Sequence, residues 1–280
     1  TPDHWHVTIA IEAMRSGKDV FCEKPETLTV REGRALVDAV RRTGRVFSGG
    51  SQRVWGDYQW FHRMVRGGAI GKVHTVLCVN FIGPERRPSQ PGEPVPTGMD
   101  WDMWCHQTPL VPYSPDLHPG LGKWGRWREY DGGGLGYGVT GWGTHAFDQV
   151  QRALGTDDTT PVEIWPEGSG PDSVVLMRYA SGTVMKMNLP RDNSKAPGLG
   201  AIFIGEKGKI EINRNSLVSD PPELIRDAPK PDDPSTVASV TQRHLQNWID
   251  CMGTRKPPRA GAEIGHRSTV ICHLYNICRE

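Results

Sequence analysis

Residues 18–25 read KDVFCEKP, a short apolar strand that ends in a glutamate, a lysine and a proline. Val20, Phe21 and Cys22 suit a buried strand, whereas a β-ladder tolerates Pro25 only at an edge or a terminus. The strand therefore stops there, and Lys24 stands at its carboxyl end. On either side of it the apolar spacing changes to that of helices. In TPDHWHVTIAIEAMRSG, Val7, Ala10, Ile11 and Met14 recur at helical spacing, Pro2 and Asp3 suit a first turn, and Gly17 suits the stop. In TLTVREGRALVDAVRRTG, Thr27 or Thr29 can cap a helix with Leu36, Val37 and Val40 on one face, and Gly44 ends it. RVFSGGSQR is the next short apolar run. Helix, strand, helix and strand joined by short turns are the rhythm of an open parallel α/β sheet, here only half of one.

Beyond residue 52 the pattern changes. A helix and a long alternating strand occupy DYQWFHRMVRGGAIGKVHTVLCVNFIG, and a stretch rich in proline, glycine and tryptophan runs from Pro84 to Gly134 without clean periodicity. Irregular stretches of that length inside a compact domain are commonly functional. HAFDQVQRALG reads as a helix. PVEIWPEG, SVVLMRYASGTVMKMNL, GAIFIGEKGKIEINR and SLVSD read as strands and hairpins turned by ASG and GEKG, and are expected to form one antiparallel sheet. Residues 220–236, rich in proline and acids, read as a surface loop, and two helices close the chain. The expected division is 1–52 and 53–280, with the final helices packing back on the first part.

The 280 residues carry 33 Lys+Arg against 32 Asp+Glu. That balance leaves no positive field with which to hold a phosphate backbone, so nucleic acid is not an expected partner. No apolar run approaches the roughly 20 residues that span a bilayer, and no membrane association is expected. The six cysteines are scattered with no C-x-x-C pair, which fits reduced thiols. A cytoplasmic location is expected, with export left open because the chain starts at Thr1 rather than at a methionine.

Several residues could carry chemistry. In open α/β sheets ligands sit beyond the carboxyl ends of the strands, which is where Lys24 lies; it could shuttle a proton, with Glu23 to orient it, or be a solvated turn residue. His4 and His6 open a helix, where exposed backbone donors favour an anion. A metal at this H-x-H would need two further ligands to which the sequence does not point, so none is expected. His145 follows a glycine-rich approach (132–134, 136, 138, 141 and 143) that permits unusual backbone angles and close approach of a ligand. GGGLGYG lacks the strand before and the helix after that a phosphate loop needs. Trp101, Trp104, Trp124, Trp127 and Trp142 suit either loop packing or stacking on sugar faces, among polar neighbours that include Asp100, Asp102, His106, Arg126, Arg128, Glu129 and Asp131.

Taken together, TPDHWH…GKDVFCEKP, GWGTHAFD and GHRSTVICHLYNI resemble the Gfo/Idh/MocA family of NAD(P)-dependent sugar and polyol oxidoreductases over nearly the whole chain. The resemblance implies α/β plus α+β architecture: the C-terminal part of a Rossmann-like sheet, then a domain with a large open-faced antiparallel sheet. It implies hydride transfer between NAD or NADP and a hydroxyl carbon of a sugar, glycoside or polyol, with Lys24 and His145 as the catalytic pair. Thr1, Pro2, His4, His6, Glu23, Lys24 and Gln52 would contact the cofactor, and Arg53, Trp104, Trp142 and Asp148 the substrate. A homo-oligomer, dimer or tetramer, built on the exposed sheet face is expected. The chain departs from the family pattern twice. The G-x-G-x-x-G turn is not in it, which suggests that roughly 70 residues precede Thr1, two or more βα units of about 30 residues each. Gly141 stands where many members carry an aspartate, so Asp148, Asp131 or no acid serves. Two other functions are open: NAD-dependent glycoside hydrolysis through transient oxidation, and a non-catalytic sugar-binding or assembly subunit.

Overall fold

The computed structural model describes residues 1–54, 56–118, 123–134, 137–192, 194–213, 216–226 and 237–280. Residues 227–236 of the expected loop, and Leu135 and Gly136 of the glycine-rich run, lie outside the described residues.

The N-terminal layer follows the local signals. A 3-10 turn at Asp3–Trp5 leads into α1 (His6–Arg15), whose buried Val7, Ala10 and Met14 form one face. Strand β1 (Val20–Cys22) follows, shorter than the expected 18–23. Of the two candidate caps, Thr29 starts α2 (Val30–Thr43). Its hydroxyl accepts from Glu32 N and the Glu32 carboxylate accepts from Thr29 N, a reciprocal capping box. Gly44, at φ 62°, ends the helix in the left-handed conformation. β2 (Phe47–Gly49) then pairs parallel to β1, Val20 opposite Phe47 and Cys22 opposite Gly49. The core of this layer takes one residue from the far end of the chain, Ala262 of α7 (Ala262–Cys278). α7 approaches α2 closely enough that a Cβ at Gly33 would fall 2.0 Å from His266 Nδ1. Glu263 on α7 also holds Arg34 and Arg41 at 2.7 and 3.1 Å. The last helix thus packs on the parallel pair.

The second layer is a seven-stranded sheet. Its strands are β3 (Val73–Val79), β4 (Glu163–Glu167), β5 (Val174–Arg178), β6 (Val184–Leu189), β7 (Gly200–Gly205), β8 (Gly208–Asn213) and β9 (Ser216–Asp220), in the order β4-β5-β6-β3-β7-β8-β9. One pair departs from the expected antiparallel arrangement: β3 runs parallel to β6. β6 and β7 run in opposite directions, so a strand wedged between them must be parallel to one of the two. The registers place Ile164, Met177, Met185, Val76, Phe203 and Ile210 in one cross-strand row facing the core. That core also holds Phe61 of α3 (Gly56–Arg66), Phe147 and Val150 of α5 (Thr144–Leu154), and Ile271 and Tyr275 of α7.

The irregular stretch has a core of its own. Trp101 and Trp104 of the short helix α4 (Trp101–Cys105) stack at 4.8 Å between centroids and pack with Tyr113, Leu117, Trp127 and Tyr130. The loop-packing reading therefore holds for these tryptophans, and Trp104, at 9% exposure, is not placed to stack on a sugar. The remaining helix, α6 (Val237–Thr254), donates from His244 Nε2 to the Gly49 carbonyl, 2.7 Å away. All six cysteines are free thiols. No helix among the described residues is long and apolar enough to cross a membrane.

Candidate active site at the strand ends

The carboxyl ends of β1 and β2 lie side by side, since Gly50 N donates to Cys22 O at 2.8 Å. Five of the expected cofactor contacts line this end and reach solvent: Thr1, Pro2, Glu23, Lys24 and Gln52. The chain passes tightly there, for a Cβ at Gly50 would come 2.8 Å from Glu23 Oε2. The other two, His4 and His6, are buried and committed to the scaffold. His6 Nδ1 lies 2.8 Å from Pro25 O and its Nε2 3.2 Å from Thr1 O; a neutral ring has one N–H and donates to one of these two carbonyls, the shorter contact being that at Pro25. His4 Nε2 lies 2.7 Å from Trp104 O, with the ring edge-on to Trp104 and Tyr130. Burial lowers the pKa of both imidazoles, which favours the neutral ring. Of their ring nitrogens, His4 Nε2 and both of His6 face backbone carbonyls.

Helix α5 grips the segment after β2 at two points one turn apart. His145 Nδ1 lies 2.9 Å from Ser51 O. Asp148, fully buried, receives Arg53 Nε at 3.0 and 3.1 Å and Nη2 at 2.9 Å, and Ser268 Oγ of α7 donates to it at 2.7 Å. Between the two grips Gln52 is held at φ 64°, an uncommon conformation for a residue with a side chain. Burial alone would raise the Asp148 carboxyl, but the Arg53 guanidinium holds it below the usual carboxylate value. Arg53 also donates to Asp157 at 2.7 Å. Both residues were expected to meet substrate. Instead they meet each other, at 3% and 0% exposure, and lock the register on which His145 and Gln52 depend. Trp142 lies half-buried in a π turn (Val139–Gly143) ahead of α5, against Tyr137 at 4.3 Å.

Two acidic groups complete the site. Asp3 and Asp131 are both buried, and burial raises both carboxyls, the charge of Asp131 raising Asp3 further while the charge of Lys24 works to lower both. Asp131 Oδ1 accepts from Gly133 N at 2.6 Å and from Gly134 N, and a Cβ at Gly134 would fall 2.5 Å from Asp131 Oδ2. The glycine run thus lets backbone N–H groups close on a carboxylate of the chain itself. Glu26, just past the Glu-Lys-Pro turn, is fully enclosed beside Gly49 and Gly265. Burial pushes it up to about 7, although the Thr269 hydroxyl donates to it at 2.9 Å. Sequence reasoning named neither Asp3 nor Glu26 as a site residue. No spacing signal marks them, since their environment comes from α7 and from the segment around residue 131.

The geometry has relatives. The profile described as "Oxidoreductase family, C-terminal alpha/beta domain" matches residues 79–279, and that of the "Oxidoreductase family, NAD-binding Rossmann fold" matches residues 1–51. The chain belongs to the Gfo/Idh/MocA oxidoreductases. Within the family it is 39% identical over 80 residues to an uncharacterised oxidoreductase of Rhizobium meliloti, covering 28% of this chain and 24% of that protein. It is 49% identical over 41 residues to levoglucosan dehydrogenase of Pseudarthrobacter phenanthrenivorans, covering 15% of this chain and 10% of that one. The matched stretches thus span a quarter or less of these relatives. The WlbA dehydrogenase from Bordetella pertussis, solved with NADH and UDP-GlcNAcA, shares the fold over the whole chain and 74% of its own, with a TM-score of 0.62 at 18% identity.

Proposed function

We propose that this member of the family is an NAD(P)-dependent oxidoreductase that moves a hydride between the nicotinamide and a hydroxyl carbon of a sugar or polyol. The observation that carries the reading is the meeting of the two layers at one point. Lys24 stands half-exposed at the end of β1, and His145 is fastened to the residue two past the end of β2. The solvent-reaching rim of Thr1, Pro2, Glu23, Lys24 and Gln52 fits the nicotinamide end of a dinucleotide, whose oxidised ring supplies the hydride acceptor when bound. As a hydride leaves a carbinol carbon, the hydroxyl must lose its proton. Lys24 is the basic group at the strand end able to take it, and His145 is held to orient the same hydroxyl. The half-buried face of Trp142 suits the apolar face of a sugar ring. A sugar acted on by the levoglucosan dehydrogenase has this polyhydroxylated character, which supports the substrate class. The protein works as a homo-oligomer through the outer sheet face.

The test is reduction of NAD and NADP by the full-length protein with a panel of sugars and inositols, alongside release of aglycone from aryl glycosides. Lys24→Ala is expected to lower kcat by roughly 10²-fold or more. Its stability should change by no more than about 1 kcal/mol, because a side chain past a strand end adds little to the core. Near-wild-type kcat in Lys24→Ala refutes the role of Lys24. Aglycone release without net reduction of cofactor replaces oxidation by glycoside cleavage.

A further inference from the structure

We infer that a cavity at the amino end of β2 is a second binding site, for a small amphipathic anion: an apolar ring or short chain that ends in a carboxylate. The candidate active site lies at the carboxyl ends of β1 and β2. At the opposite end of β2, a cavity of about 380 Å³ opens between α2, the segment 255–261 and the start of α7. Ligand cavities run from about 300 to 1,000 Å³ and are lined mainly by apolar groups with a few polar ones. This cavity has that make-up. Val37, Val46, Phe47 and Ala262 line it and are buried, and half-buried Val40 and Ile264 line it as well. Apolar surface of this kind gives a ligand its body but not its charge.

The charge comes from the rim. Five charged side chains border the cavity: Arg41, Arg45, Arg255, Lys256 and Glu263. Three of them already have partners. Glu263 receives Arg34 at 2.7 Å and Arg41 and Arg267 at 3.1 Å each, and Arg255 donates to Asp19 at 2.8 and 3.0 Å. Arg45 donates to the Gly17 carbonyl at 3.0 Å, and neither it nor Lys256 has an acid within ion-pairing distance among the described residues. Two cations are thus left over beside an apolar cavity, and no acid is left over with them. Low-dielectric walls concentrate such a field, so the site favours an anion and disfavours a cation.

Lys256 is also held ready. Arg255 before it takes φ 58°, uncommon for a residue with a side chain, and its guanidinium spans Asp19 and the Gly44 carbonyl, the latter at 3.1 Å. Pro257 after it confines Lys256 to an extended backbone. The ammonium therefore stands on a fixed segment and reaches solvent at the cavity mouth. A carboxylate there meets Lys256 and Arg45 through charge-assisted hydrogen bonds while its apolar body covers the lining. This site is independent of the oxidoreductase reading, because none of its residues belongs to the strand-end rim.

The test is calorimetric titration of the full-length protein with phenylbutyrate and octanoate, and with phenylbutanol and octanol as neutral counterparts, with and without saturating NADH. At least one carboxylate should bind, roughly fivefold or more tighter than its alcohol, and NADH should leave it bound. Lys256→Ala and Arg45→Ala should each weaken the carboxylate roughly two- to fivefold, the scale of exposed ion pairs, and leave the alcohol unchanged. Salt at about 1 M should act in the same direction. Ile264→Phe puts a ring into the cavity and should abolish binding of both; should it not fold, Val40→Phe is read in its place. Absence of binding by either carboxylate overturns the site. Equal affinity for acid and alcohol overturns its anionic half. Binding that NADH abolishes and Ile264→Phe spares belongs to the strand ends and overturns the assignment. Loss of self-association in Lys256→Ala, with no carboxylate bound, gives this face to a second copy of the chain and overturns the small-molecule site.

Discussion

Asp148→Asn is nearly isosteric and removes one charge from the point where α5 grips the chain after β2. Arg53 then stays in place at 3% exposure, having lost a carboxylate that received it at 2.9, 3.0 and 3.1 Å. It keeps Asp157 at 2.7 Å, and that carboxylate is 29% exposed. Arg152 stands nearby, its pKa pushed down to about 10 by burial and then by Arg53, so repulsion between the two guanidiniums loses its nearest counterweight. Removing one partner of a buried ion pair costs about 3–5 kcal/mol. With Asp157 retained we expect the lower end, about 3 kcal/mol, or a fall in melting temperature of roughly 6–12 °C for a chain of this size. The assay is guanidinium unfolding of wild type, Asp148→Asn, Arg53→Met and the double variant. The double variant should be less destabilised than the sum of the singles by at least about 1 kcal/mol, because it strands no charge. Since the Asp148 pKa is depressed, the pair stabilises at pH above 3.8, and its contribution is lost as pH falls through the lower folded value. The gap between wild type and Asp148→Asn should therefore be flat from pH 5 to 8 and close only in acid. A cost below about 1 kcal/mol, or strict additivity with Arg53→Met, would refute the clamp.

Two further outcomes are expected. Glu26 is raised from 4.5 to about 7, so the stability it confers is complete below 4.5 and is lost as pH rises through 7, about 3 kcal/mol in all; Glu26→Gln should lack that slope in denaturant unfolding between pH 4.5 and 8, and parallel profiles would rule the assignment out. The outer sheet face presents Trp165, Lys186, Leu77, Ile202 and Glu211 in one cross-strand row with the covered Leu176, a row with apolar groups to bury against a second copy. Ile202→Lys places a lysine directly opposite Glu211, an arrangement the sheet tolerates, and should turn a sedimenting dimer or tetramer into a monomer; a wild-type monomer at micromolar concentration would sink the idea.

What the chain alone determined was local. A cap at Thr27 or Thr29, the helix stop at Gly44, the hairpins turned at ASG and GEKG, and the helix after the glycine run all follow from residues within a turn of one another. Such signals survive in a single sequence because the groups that satisfy them are neighbours along it. Lys24 was legible for the same reason: a proline three residues past an apolar strand ends the strand, and the end of a parallel strand is where ligands bind. The tertiary structure decided the rest. Arg53 and Asp148, read singly as polar groups for a substrate, neutralise each other across 95 positions. His4 meets a carbonyl 100 positions away, and Thr269 of α7 reaches Glu26 across 243. The parallel β3–β6 pair depends on which two hairpin units flank one strand, a choice no strand records in its own residues. The charge state and reach of a buried side chain depend on what excludes water from it and what stands opposite, and both are supplied by distant segments that only folding brings together.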